Sequence, residues 1–222
     1  MLDWMIRWGL LGCAAGGLLA QQGVPARKPI PRKPPGYYAT LHTSMGPITF
    51  QLFEKESPIT VANFTDLALG RKTYLDPRNS LPSRLPLFSG LTFHRVIPEF
   101  MIQGGDPLGD GTGATAVIPD ETSSPLKFDV AGRVAMANSG PNSGSCQFFI
   151  TEAPTPHLDG LHTIFGQVVD GLELVRKIAR VDTEDTKPVT PVTIEKVIVA
   201  RIQPVPATKP PIPPKKAATL AK

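Results

Sequence analysis

Cysteine is scarce in this 222-residue chain, which has only Cys13 and Cys146. If Cys13 leaves with a leader or carries a lipid, no intrachain disulfide is possible, a usage that fits export. The four histidines, at positions 42, 94, 157 and 162, form no His-x-x-x-His pattern, and no Cys-x-x-Cys accompanies them. They also fall on different predicted elements, so neither a metal nor a cofactor is expected. Gly109, Gly111 and Gly113 lack the strand–loop–helix setting of a nucleotide-binding loop. There is no internal repeat. The apolar stretch at 8–20 is too short to span a bilayer comfortably, so no stable membrane span is expected.

Proline, by contrast, is abundant at 25 residues. Residues 21–36 hold five and residues 203–222 hold six, mixed with Lys or Arg and without apolar periodicity. These read as a linker and a tail that cannot bury enough apolar surface to fold and are expected to remain disordered. Charge divides along the same lines. The 36 N-terminal residues carry five basic residues against one acid, and residues 203–222 carry four and none, which leaves 14 basic and 18 acidic residues in 37–202. The high pI therefore belongs to the ends, and nucleic acid is not an expected partner of the core.

Residues 1–20 combine Arg7, the run WGLLGCAAGGLLA and a small residue at Ala20. This pattern reads as an export signal, periplasmic or cell-envelope in destination. Two versions stay open: cleavage near Ala20, or lipidation of Cys13 in Leu10-Leu11-Gly12-Cys13. A misassigned start on a cytoplasmic protein is the alternative.

Within 37–202 the β pattern dominates. Tyr37–Thr43 and Ile48–Phe53 read as a hairpin across Ser44–Pro47. Ser57 and Pro58 suit the cap and first position of a helix whose stripe is Ile59, Val61, Ala62, Phe64, Leu67 and Ala68, closed by Gly70. Residues 71–90 read as a long surface loop. Short β-like runs follow at 91–97, 100–105, 127–137, 146–151, 162–169 and 192–202, with one more helix at Leu172–Ala179. Many short strands with two helices predict a mainly β closed antiparallel barrel capped by helices.

The densest chemistry lies in FHRVIPEFMIQGGD, residues 93–106. Alternation puts Phe93, Arg95 and Ile97 on one face, and Met101 and Gln103 together on the next strand. An arginine among large apolar residues is costly unless its charge is paired or used. From spacing alone, a cross-strand ion pair explains Arg95 as well as a functional role does. Two further blocks follow: ANSGPN at 137–142 leading to QFFI at 147–150, and LDGLHTIFG at 158–166.

In this order, the three blocks resemble the signatures of the cyclophilin family of peptidyl-prolyl cis/trans isomerases, from about Tyr37 to Ile202, and the loop tract resembles the exported bacterial members. The resemblance implies a closed eight-stranded antiparallel barrel capped by two α-helices, with the active groove outside it. It makes Arg95 the catalytic residue. It implies a pocket for the proline ring from Phe100, Met101, Phe149, Leu158 and His162, and a hold on the substrate backbone from Gln103, Ala137, Asn138 and Gln147. Gly111-Thr112-Gly113 matches a loop beside the groove. His157, counted among the substrate-binding residues, stands where many eukaryotic members have a cyclosporin-contacting tryptophan, so tight cyclosporin binding is not expected. Two further departures are Gly144-Ser145-Cys146 before the QFFI block and Ala114–Ala116 at the groove rim. The implied partners are proline-containing polypeptides, handled by a monomer. The competing reading is a catalytically quiet module or chaperone that clamps proline segments, against which the retention of Arg95 speaks.

Overall fold

The computed structural model describes residues 33–203. The expected export signal at 1–20, Cys13 and most of both Pro/Lys-rich segments lie outside the described residues.

The chain runs β1 (Gly36–Thr43), β2 (Gly46–Leu52), α1 (Pro58–Leu69), β3 (Tyr74–Asp76), β4 (Leu81–Ser83), β5 (Phe93–Ile97), β6 (Met101–Gly104), β7 (Arg133–Met136), β8 (Phe148–Thr151), β9 (Ile164–Asp170), α2 (Leu172–Ile178), β10 (Thr183–Glu184), β11 (Lys187–Pro188) and β12 (Ile194–Ile202). Eight strands form one antiparallel sheet in the order β12-β1-β2-β9-β7-β8-β6-β5. Its two ends meet through a single bridge, Thr92 with Thr193, flanked by Phe93 N–H to the Val192 carbonyl at 3.0 Å and Ile194 N–H to the Leu91 carbonyl at 2.7 Å. The expected mainly β architecture with two helices is the one found; closure rests on that short seam. At the far end of the β1–β12 ladder Gly36 faces Ile202.

Alternation sorts the strands into two cores. Phe50, Val96, Ile102, Val134, Met136, Phe148, Ile150 and Phe165 point inward, with Val61, Phe64 and Leu67 of α1 and Val175 and Ile178 of α2 packed among them. Phe64 stacks on Phe88 at 5.0 Å and meets Phe148 edge-on at 5.6 Å. The opposite face of the same strands carries Met101, Ala135, Phe149 and Ile164 into a second cluster with Phe128.

Several local expectations change. The pairing of β5 with β6 is irregular between Phe93 and Arg95. The extra residue breaks strict alternation, so Phe93 joins Val96 in the interior while Arg95 is exposed on the outer side. Ser57 occupies the N-cap position of α1, as expected, but its side chain makes no capping bond. It is fully buried and its hydroxyl donates to the Ile164 carbonyl at 2.6 Å. The helix N-terminus is met instead by Glu121, which accepts from the N–H groups of Ile59 and Thr60 at 3.0 and 2.8 Å, a carboxylate where the helix dipole favours one. Ile59 is 47% exposed, and Ala62 is exposed too. Residues 71–90 are not a plain loop: they carry the β3–β4 hairpin and return Leu87 and Phe88 to the interior core.

Candidate active site

The second cluster floors a cavity of about 1010 Å³ on the outer face of the sheet. Phe100, Met101, Phe149, Leu158 and His162 line it, as do Arg95, Gln103, Gly111, Ala137 and Asn138. The apolar side is built in layers. Phe128 stacks on Phe149 at 5.9 Å, and His162 meets the same ring edge-on at 5.2 Å. His162 Nδ1 lies 2.9 Å from the Met136 carbonyl, which can only accept. Nδ1–H is therefore the donor of that bond. His157 lies on a 3-10 turn, Pro156–Leu158, with its exposed ring 5.7 Å from Phe100. It stands outside the cavity lining.

The polar side is a directional chain. Arg95 Nη1 donates to Gln103 Oε1 at 3.2 Å. Gln103 Nε2 donates to Gln147 Oε1 at 3.0 Å. Gln147 Nε2 donates to the carbonyls of Gly111 and Gly113 at 3.0 and 2.9 Å. Gln147 thus sits behind Gln103, facing a neighbouring cavity of about 140 Å³ that Gly111, Ala137 and Asn138 also line. Asn138 Nδ2 donates to the Leu161 carbonyl at 2.9 Å, which leaves its oxygen unclaimed by that bond. Among the described residues Arg95 has no carboxylate within ion-pair distance, so a cross-strand ion pair does not account for it.

The supports of this site were not evident from local spacing. Asp106, 1% exposed, accepts from the N–H groups of Leu108, Asp110 and Gly111 at 2.8, 3.1 and 2.5 Å. One carboxylate therefore folds the loop whose Gly111 reaches the groove. A Cβ on Gly113 would overlap Asp106 Oδ1, which explains a glycine there. Glu152, 5% exposed, accepts from the Glu99 N–H at 2.8 Å and pairs with Arg180. It holds the turn that delivers Phe100. Asn63 on α1 donates to the Ser145 carbonyl at 2.6 Å and accepts from Lys72 at 2.9 Å, fixing the approach to Gln147. Glu152 and Asn63 reach partners 53 and 82 residues away, where periodicity has no reach, whereas Asp106 acts on its own loop.

Nothing here resembles a nucleophile or metal centre. Burial pushes the Cys146 thiol pKa up, against thiolate chemistry. Asp159 Oδ1 accepts from the Phe128 N–H at 2.7 Å and is committed to that turn. Among the described residues no three His, Cys, Asp or Glu side chains cluster as metal ligands, and no helix is long and apolar enough to cross a membrane. What the arrangement offers is an unpaired guanidinium at the lip of an apolar pocket, with fixed amides beside it.

The family model described as "Cyclophilin type peptidyl-prolyl cis-trans isomerase/CLD" matches residues 38–199. The chain is 45% identical over 166 residues to peptidyl-prolyl cis-trans isomerase A of Mycobacterium tuberculosis, covering 73% of this chain and 91% of that one. It is 43% identical over 169 residues to peptidyl-prolyl cis-trans isomerase-like 1 of Mus musculus, covering 74% and 92%. A crystal structure of a cyclophilin-type isomerase from Cryptosporidium parvum matches with a TM-score of 0.65 at 29% identity, over 74% of this chain and 98% of that one. A second crystal structure of that protein, in the presence of the dipeptide Ala-Pro, matches at 28% identity, also with a TM-score of 0.65.

Proposed function

The chain belongs to the cyclophilin-type peptidyl-prolyl cis-trans isomerase family, and from that premise we propose that Arg95 accelerates the exchange without any covalent intermediate. The observation that carries this reading is the guanidinium of Arg95, unpaired by any described carboxylate and positioned by Gln103 beside Phe100, Met101 and Phe149.

Rotation about a peptide bond faces about 18–20 kcal/mol of barrier from amide resonance. As the bond twists, the proline nitrogen becomes pyramidal and gains a lone pair. Arg95 can donate to that nitrogen and to the neighbouring carbonyl, with both donors on one rigid fork. One hydrogen bond to a charged group contributes roughly 1.5–3 kcal/mol, or about one to two decades of rate at 1.36 kcal/mol per decade. The remainder falls to the groove, which must hold the twisted amide better than the planar one. Phe100, Met101, Phe149, Leu158 and His162 take the proline ring. Gln103, Ala137 and Asn138 take the flanking backbone, and Gly111 borders that side. Gln147 acts through Gln103, and His157 shields Phe100 from outside. The substrate class is Xaa-Pro segments of polypeptides, as the related structure solved with Ala-Pro suggests.

The test is NMR exchange spectroscopy on an Ala-Pro peptide. Wild-type protein should speed exchange, and Arg95→Ala should lower kcat/KM by about ten- to a hundredfold. A variant that binds the peptide and exchanges it at the wild-type rate would sink the role of Arg95.

The proposed location is the periplasm or cell envelope, supported by the pattern of residues 1–20, and mass spectrometry of the mature N-terminus would distinguish cleavage near Ala20 from lipidation at Cys13. The groove is built from one chain's residues, which supports action as a monomer; sedimentation tests that.

A further inference from the structure

One wall of the groove played no part in the sequence reading. β10 and β11 form a hairpin whose two turn residues, Asp185 and Thr186, both adopt left-handed backbone, with φ of 47° and 70°. Two-residue hairpin turns of this hand normally use Asn-Gly or Asp-Gly. A β-branched threonine there is strained, and such strain persists only where surrounding contacts enforce it. The enforcing contact is on β5: Val96 N–H donates to the Thr186 carbonyl at 2.8 Å. The turn is thereby pinned beside Arg95, and Glu184 and Asp185 line the same cavity as Asp110.

His94 lines that cavity too. It is 7% exposed, and neither ring nitrogen has a partner. Burial, the largest influence, holds its pKa below the usual histidine value, against the opposite pull of Asp106 and Asp110. A neutral imidazole presents one nitrogen that can only accept, and a buried acceptor without a donor is costly. Three carboxylates, Asp110, Glu184 and Asp185, and two cations, Arg95 and Lys187, line the cavity. Arg95 is assigned to the twisting amide. That leaves Lys187 to the three carboxylates, and it pairs with none of them within ion-pair distance among the described residues.

We propose that this hairpin wall is a subsite for a lysine or arginine side chain flanking the prolyl bond of the substrate, with Glu184 and Asp185 meeting its charge and His94 accepting one of its N–H groups. The proposal rests on the isomerase reading and refines it to a substrate class.

The experiment uses the full chain and Ala-Pro peptides carrying lysine, glutamate or alanine at each of two positions before and two after the proline. kcat/KM is read by NMR exchange. In at least one register the lysine peptide should exceed the glutamate peptide by roughly fivefold, the scale of one exposed ion pair. The ratio should fall toward one near 1 M salt, where the Debye length is about 3 Å. It should also fall in the double variant Glu184→Gln/Asp185→Asn, which preserves size and tolerates the turn, and in His94→Phe. Equal rates for lysine and glutamate peptides in every register, with the alanine peptide still turned over, would overturn the subsite and leave the isomerase reading standing. A ratio that survives in the double variant overturns it as well, and one that survives in His94→Phe removes His94 from it. Failure to turn over the alanine peptide would instead refute the isomerase reading.

Discussion

Replacing Glu152 with alanine should loosen the groove from behind, without touching a group that meets substrate. Glu152 Oε2 accepts from the N–H of Glu99, a non-glycine residue with φ of 62°. Left-handed backbone costs such a residue roughly 1–2 kcal/mol, so the turn needs that hydrogen bond. A bond to a charged, buried acceptor contributes about 1.5–3 kcal/mol. The partner Arg180 is 48% exposed and can return to water, so the larger penalty for stranding a buried ion does not apply. The expected loss is therefore about 1.5–3 kcal/mol. At about 2–4 °C per kcal/mol for a domain of this size, that is a fall of about 3–12 °C in Tm. Kinetics should change in one direction. Phe100 follows Glu99 directly, so KM rises by roughly threefold, about 0.7 kcal/mol, while kcat holds, as expected for lost ground-state positioning. Glu99→Gly removes the backbone penalty and should recover about 1 kcal/mol in the Glu152→Ala background. Calorimetry and exchange kinetics on the four proteins complete the cycle. A Tm within 1 °C of wild type, or a loss confined to kcat, would refute the clamp.

The remaining predictions are brief. Arg95→Ala should leave Tm nearly unchanged, because the side chain is exposed and its removal strands no buried charge; a large drop would mean a structural role. Phe64→Ala should cost about 3–5 kcal/mol in chemical denaturation, since its ring sits among Phe50, Phe88, Phe148 and Phe165. Burial holds the pKa of His94 below the ordinary histidine value of about 6.5. The unfolded chain then binds more protons than the folded one below about that value, so stability falls as pH drops from 6.5. His94→Gln should flatten that part of the stability curve, and an unaltered curve would show that His94 is not the group responsible.

The alternation of inward Phe148 and Ile150 with outward Gln147 and Phe149 was readable directly, as were both helices, because period and burial agree in those segments. Arg95 illustrates the limit. Its outward position follows from an irregularity at His94, and a one-residue shift in a strand is invisible to a rule of two. The β10–β11 hairpin escaped for a related reason: its turn uses Asp185-Thr186, without the glycine that advertises such turns. Arg95, Gln103 and Phe149 could be named from motif resemblance. Glu121 and Glu152 could not be named from local pattern, because each acts on backbone N–H groups that only the fold brings near.

Gly36 lies opposite Ile202, and this pairing bears on how such a domain can travel between proteins. Where a folded unit receives and releases its chain at neighbouring points, the host sees little more than a loop, and loop insertions grow only slowly more costly with length. The isomerase core could be spliced into an exposed loop of an unrelated carrier without pulling that loop apart. The two ends of the core could equally be joined and the barrel reopened elsewhere, for instance in the turn between β3 and β4.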